Sequence, residues 1–482
     1  MARRRLPPRQ RHFRIAMTTA RFSPAELLDR LRGLNPELAV FGPAELAGRH
    51  PGEHPDNFAG GVMAQPGSTA AAAALVRWCV ENGVAVVPQG GLTGLVGGNV
   101  SRAGEVILSS ARLNRILAIR PDEMTAEVEA GVALEALQQA AARHGLTTGI
   151  DLGSRGSATI GGMISTNAGG ILAFRNGVMR HQVLGLEAVL PSGEVFHDMT
   201  RVVKVSAGPD LKQLFIGGEG AFGFVTKAVL KLEPLRPHRA TALLGVTDAA
   251  AALAVIRHFR GLSGVTLEAA EMMWPRYIRD HAALKTFDLS WLEEGAAALL
   301  IELSAETVEA ATAALEEGLE ALWEPAALRG GIVAQSLDQA RKFWDIREDS
   351  GFYYAAIPDA ASFDISVPPT FLDAYVEGLA ARLEAIDASY AAYVYGHVAD
   401  GNLHITLIKP GPLPEAEQRA VEAAVYAGIR EAGGSFSAEH GVGREKRHAY
   451  EAFAAPEKQA LARVIKQAID PNGLFNPGKV PF

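Results

Sequence analysis

The sequence predicts an α+β protein in two parts, and three observations predict it. Between about residues 60 and 235, short β-type runs and clustered glycines dominate. Beyond 240, strand-like and helical segments alternate, as expected for helices layered over an antiparallel sheet. That series closes on a hairpin, "AAYVYGH" turning at "ADGN" into "LHITLIK".

Taken in order, the chain opens on "MARRRLPPRQRHFRIAMTTAR", an Arg-rich stretch with no acid before Glu26. It lacks the apolar core of a secretory signal, so residues 1–20 read as a disordered extension, with Met17 an alternative start. The first part carries strands at 84–88, 104–110, 125–132, 184–197 and 223–232, and helices at 68–83 and 133–145. "EPLRPHR" (233–239), with two prolines, reads as a linker. In the second part, "ATALLGVT", "AAALLIELS" and "SFDISVP" are strands, each followed by a helical run. The final "IDPNGLFNPGKVPF" is turn-rich and is ordered only if it docks.

Composition narrows the classes. A chain of 482 residues, 48% apolar, holds two to four domains. Net charge is −8 with both signs interspersed, which argues against a nucleic-acid partner. No apolar run reaches the roughly 18 residues of a membrane span. The single cysteine, Cys79, excludes intramolecular disulfides and thiolate cages and suits a reducing, cytoplasmic setting. Any metal must therefore sit on histidine and carboxylate. Periodicity leaves oligomeric state open, a homodimer included.

Three glycine clusters stand out: "PQGGLTGLVGG" (88–98), "DLGSRGSATIGGMISTNAGG" (151–170) and "IGGEGAFGF" (216–224). Glycines let backbone N–H groups converge on an anion such as a pyrophosphate. A Rossmann site needs a long helix after its glycines, whereas Gly97-Gly98-Asn99 runs into a loop and a strand. A P-loop fails too, for want of Lys-Ser or Lys-Thr at the required spacing.

His397 and His404 flank the tight turn, so paired strands can bring them to one face, close enough to share an ion. "SAEHGVG" adds Glu439 and His440. Two histidines and a carboxylate form a catalytic zinc-type set with positions left for substrate. A hydrogen-bonded hairpin is the alternative, with Asp400 and Asn402 as turn residues.

"PQGGLTGLVGG", "DLGSRGSATIGGMISTNAGG", "DLKQLFIGGEGAFG", "GHVADGNLHI", "SAEHGVG" and "NPGK" together resemble the FAD-binding oxidoreductases of the vanillyl-alcohol oxidase superfamily, D-2-hydroxyacid dehydrogenase group. The resemblance implies a two-subdomain FAD-binding domain (21–236), an α+β cap with an antiparallel sheet (237–440), and a segment (441–482) returning to the flavin domain. It places noncovalent FAD, since the first loop has no histidine, against Pro88, Gly90, Gly91, Leu92, Thr93, Gly94, Gly98 and Asn99. From the second loop come Gly153, Gly156, Ser157, Thr159, Ile160, Gly161, Gly162, Ser165, Thr166, Asn167, Gly169 and Gly170. Glu219, Gly220 and Asn476 complete the set. By the same resemblance His397, His404 and Glu439 hold a divalent metal, zinc being the expected ion. His440 is the base that takes the substrate hydroxyl proton, and Arg347 in "FWDIREDSG" grips its carboxylate.

The reaction so implied oxidises a D-2-hydroxy acid to the 2-oxo acid, with hydride passing from C2 to flavin N5, then electrons to a quinone, electron-transfer flavoprotein or cytochrome. Ser362, Gly351 and Thr406 depart from the more polar or cationic residues typical of 2-hydroxyglutarate enzymes, pointing to D-lactate or a larger monocarboxylate. Other readings are the flavin subunit of a glycolate-oxidase-type complex, a non-redox FAD transferase of the alkylglycerone-phosphate synthase type, and an electron-carrier flavoprotein.

Overall fold

A computed structural model describes residues 21–326, 328–348, 360–409 and 413–482. The N-terminal extension and Gly351 lie outside these.

The first sheet joins β1 (Leu38–Phe41), β2 (Met63–Pro66), β3 (Val86–Gln89) and β4 (Val106–Ser109) in the order β1-β2-β4-β3. Its β2–β4 and β3–β4 pairs are parallel, and the crossover from β2 to β3 is the helix Thr69–Glu81, capped by the Ser68 hydroxyl. The second sheet is antiparallel, with β5 (Ile116–Arg120), β6 (Thr125–Glu129), β10 (Phe224–Pro234), β8 (Val183–Val189) and β9 (Val195–Asp198) in that order. β7 (Leu146–Thr148) pairs with the far end of β10.

The third sheet has seven strands: β11 (His238–Val246), β12 (Thr266–Met273), β13 (Ala297–Ala305), β14 (Leu328–Val333), β15 (Ser362–Ser366), β16 (Ala391–His397) and β17 (Asn402–Ile408). Every neighbouring pair in it is antiparallel. Side chains alternate between its faces. Leu299, Ile301 and Leu303 pack with Val255, Phe259, Leu315 and Leu379 of three helices on one side. Ala298 and Leu300 meet Tyr277, Ile278, Phe343 and Ile346 of the helices Pro275–Leu284 and Leu337–Glu348 on the other.

Two expectations need revision. The linker shrinks to Leu235–Pro237, because β10 runs to Pro234 beside β7 and β11 starts at His238. Proline is tolerated there, at the end of a strand. β12 and β14, like β1, β2, β5 and β7, are not among the strands the sequence predicts; β12 is buried on both faces and shows no alternation.

The C-terminal tail docks on the first sheet. Val86 donates to the Leu474 carbonyl at 2.8 Å and accepts from the Asn476 amide at 2.8 Å. Phe475 between them is fully buried in the core beneath that sheet.

Candidate active site

The glycine clusters line one cavity. Its wall contains Pro88, Gly90, Gly91, Leu92, Thr93, Gly94, Gly98, Asn99, Thr159, Gly161, Gly162, Ser165, Thr166, Gly169, Glu219 and Gly220, as expected from the sequence. Glycine is required where the first two loops cross: a Cβ on Gly91 would lie 1.9 Å from the Ser157 carbonyl oxygen. Thr159 Oγ1 and Ser110 Oγ line the cavity without hydrogen-bond partners among the described residues. Narrow glycine walls and orphaned hydroxyls suit the phosphates and polar ring edges of a dinucleotide such as FAD.

The remaining expected residues, Gly153, Gly156, Ser157, Ile160, Asn167, Gly170 and Asn476, do not line this cavity. Ile160 is buried at the start of the helix Ile160–Thr166, and Asn167 closes that helix in the left-handed region at φ 55°. Gly153, Gly156 and Ser157 belong to the loop that leads into it. Asn476 buttresses the loops, its amide donating to the carbonyls of Gly98 (3.2 Å) and Glu219 (2.7 Å). The Glu219 carboxylate turns to the tail and accepts from the Val442 (2.7 Å) and Gly443 (2.8 Å) amides. Leu152, Ser154 and Phe224, within the glycine clusters, also line the wall, and Ser110 is a wall residue outside them that the sequence gives no reason to single out.

Glu439 and His440 also line this cavity, so the histidine cluster opens onto it. The hairpin register explains the cluster. His397 pairs with Asn402 and His404 with Tyr395, which puts all four side chains on one face. The imidazole centroids of His397 and His404 lie 5.5 Å apart. Neighbouring strands extend both rows, Glu271 of β12 opposite His397 and Asp364 of β15 opposite His404.

His397, His404 and Glu439 each bring a ligand atom within 4.8 Å of the others. Two nitrogens and one oxygen in that span fit a divalent ion of the zinc type. Asp364, His404 and His440 form a second group of the same kind, so His404 is shared between the two. His440 stacks 6.1 Å from His404. The Glu439 carboxylate accepts from the Gly170 amide at 2.6 Å, which links the cluster to the second glycine loop.

Electrostatics divide these groups. Burial pushes His440 and, more strongly, His404 below the ordinary imidazole value, favouring neutral rings. Burial would do the same to His397, but Glu271 outweighs it and holds His397 up at about 9. Burial raises Glu439. Asp364 is held well below its usual range although burial opposes this, because His440, Lys446 and His404 surround it and the 438–440 amides donate to it.

Four residues stand otherwise than the sequence suggested. Asn402 is a buried strand residue whose amide bonds Asp364 Oδ1 (2.8 Å) and the Ile365 carbonyl (2.9 Å), so it ties the hairpin to β15 and is more than a turn former. Arg347, expected to grip substrate, is buried and paired with Glu271, its guanidinium 4.8 Å from the Tyr395 ring centroid. Glu271 itself was not anticipated, nor was a site role for Asp364.

Known proteins agree with this architecture. Residues 61–198 match a family model described as FAD binding domain, and residues 235–480 match FAD linked oxidases, C-terminal domain. A D-2-hydroxyglutarate dehydrogenase of Xanthomonas citri pv. viticola is 36% identical over 426 residues, covering 87% of this chain and 89% of its own. The mitochondrial D-2-hydroxyglutarate dehydrogenase of Bos taurus is 35% identical over 425 residues, covering 87% and 76%. In fold, the chain resembles p-cresol methylhydroxylase (TM-score 0.72, 15% identity, 95% and 96% covered) and alkyldihydroxyacetonephosphate synthase (TM-score 0.65, 17% identity, 87% and 77% covered). Among the described residues no helix is long and apolar enough to cross a membrane. Family models over both halves, and relatives this similar over most of their length, mean that the chain belongs to the FAD-linked oxidases of the vanillyl-alcohol oxidase superfamily, in the D-2-hydroxyacid dehydrogenase group.

Proposed function

We propose that this chain oxidises a D-2-hydroxy monocarboxylate, D-lactate or a larger homologue, with a divalent ion, zinc, held by His397, His404 and Glu439. When bound, FAD accepts the hydride from C2 and the ion polarises the 2-hydroxyl. His440, kept neutral by burial at the cavity edge, takes the hydroxyl proton. Arg347 meets the substrate carboxylate with the edge of its guanidinium that Glu271 does not occupy, and Tyr395 beneath it fixes the plane of the group. The glycine loops would leave room for the flavin's phosphates, and Glu439 and His440 line the same cavity. Reoxidation requires a second acceptor of quinone, flavoprotein or cytochrome class.

The proximity of His397 and His404 to Glu439 and His440, which line the flavin cavity, carries the reading of the chemistry. The substrate choice rests on the row beside His404, where Ser362 and Thr406 face each other as neutral hydroxyls 3.3 Å apart. Arg155, Arg175 and Arg239, which could otherwise meet a second carboxylate, are already paired with Asp151, Glu268 and Glu302. The names of the relatives favour 2-hydroxyglutarate as the competing substrate. Anaerobic titration with a panel of D- and L-2-hydroxy acids, before and after chelation, separates the two. Bleaching of the flavin by D-lactate or a longer monocarboxylate, abolished by chelator and restored by zinc, is expected. Preferential bleaching by D-2-hydroxyglutarate would refute the substrate assignment, and bleaching indifferent to chelator would refute the metal.

A further inference from the structure

Glu271 is fully buried in β12 and divides its carboxylate between two groups of different duty. Oε1 lies 2.6 Å from Nδ1 of His397. Oε2 accepts from Nε of Arg347 at 2.8 Å and lies 2.6 Å from its Nη2. Register supplies the first contact, since Glu271 and His397 are directly opposed in β12 and β16. The helix Leu337–Glu348 supplies the second, and it is moored there by the Tyr277 hydroxyl, which donates to the carbonyls of Ile346 (3.0 Å) and Arg347 (3.2 Å).

We infer that Glu271 is a positioning residue that locks the metal-ligand histidine and the carboxylate-binding arginine into one unit. The inference rests on the roles proposed above for His397 and Arg347. With Nδ1–H donated to Glu271, Nε2 is the atom of His397 left to give up its proton to a metal, on the side where Glu439 Oε1 lies 3.9 Å away. With Nε and Nη2 held on Oε2 and the ring of Tyr395 beneath, the guanidinium can neither rotate nor slide. Only a carboxylate serves both partners, because both are donors. A glutamine has one acceptor atom and must turn its amide hydrogens against either His397 or Arg347.

The test is Glu271→Gln in the FAD-loaded enzyme, read by zinc affinity in chelator competition and by KM and kcat for the D-2-hydroxy acid at saturating zinc. Zinc affinity is expected to fall 10- to 100-fold and KM to rise about tenfold or more, with the flavin spectrum unchanged. Arg347→Lys is expected to raise KM while leaving zinc affinity within about threefold. Should the glutamine variant fail to accumulate, Glu271→Asp keeps the charge but is a methylene too short to reach both partners. It is expected to depress zinc affinity, KM performance or both. Wild-type zinc affinity and KM in a folded Glu271 variant would overturn the inference. A wild-type enzyme with no affinity for divalent ions would instead overturn the metal reading on which it rests.

Discussion

Asp364 offers a prediction whose size follows from its hydrogen bonds. One oxygen, Oδ2, accepts the backbone amides of Ala438 (3.0 Å), Glu439 (2.7 Å) and His440 (3.0 Å). Replacement by asparagine keeps the shape and offers a neutral oxygen. Asn402 can then reverse its amide, since its own Oδ1 has no partner among the described residues, but only by giving up its bond to the Ile365 carbonyl. For the 438–440 amides themselves the loss is that of charge. Hydrogen bonds to charged groups contribute about 1.5–3 kcal/mol and neutral ones about 0.5–1.5, so three bonds lose about 3 kcal/mol. That free energy orders the loop carrying Glu439 and His440, and about 3 kcal/mol corresponds to roughly a hundredfold in local opening. Hydrogen exchange read by mass spectrometry on a peptide spanning 435–443 should show protection about a hundredfold lower in Asp364→Asn than in wild type, at unchanged FAD content. Protection within about threefold of wild type would mean that Asp364 does not hold this loop.

Other outcomes can be checked as directly. His440→Ala should keep FAD and metal while anaerobic flavin reduction slows about 10²- to 10⁴-fold; reduction at the normal rate would show that His440 is not the base. Gly91→Ala forces a methyl into the Ser157 carbonyl, so the purified protein should lose most of its flavin absorbance, and full retention would contradict the loop crossing. Glu187 is held down at about 2: burial opposes this, but bonds from Thr69, Lys227, His197 and Thr226 outweigh it. Its folded pKa lies below the unfolded value of about 4.3, so its stabilisation is present above that pH and lost as pH falls towards about 2. Melting curves of wild type and Glu187→Gln should differ at pH 7 and converge in acid; a gap that stays constant with pH would exclude this linkage.

The features legible in the sequence were those set by local chemistry. The Asp-Gly-Asn turn fixed the hairpin register, and register alone put His397 and His404 on one face. The glycine clusters were legible because only glycine admits the observed loop crossing, whatever its distant partner. Pairings across long separations left no local trace. Glu271 lies 126 residues from His397 and 76 from Arg347, in a strand whose burial on both faces erases alternation. Asp364 reads as one residue of a short strand until the 438–440 loop arrives. The linker was read as too long because its prolines suggest a break, whereas Pro234 ends a strand that is still paired with β7.

The tail has a consequence for biosynthesis. Residues 474–476 complete the edge of the first sheet, and the amide of Asn476 joins carbonyls of Gly98 and Glu219 that lie 378 and 257 positions earlier. A ribosome releases those partners long before the residue that fastens them. The flavin pocket therefore lacks this fastening until residue 476 has been made, and cofactor capture becomes a report on synthesis through that residue. A chain cut short before Phe475 would carry nearly every wall residue of the cavity and still emerge colourless.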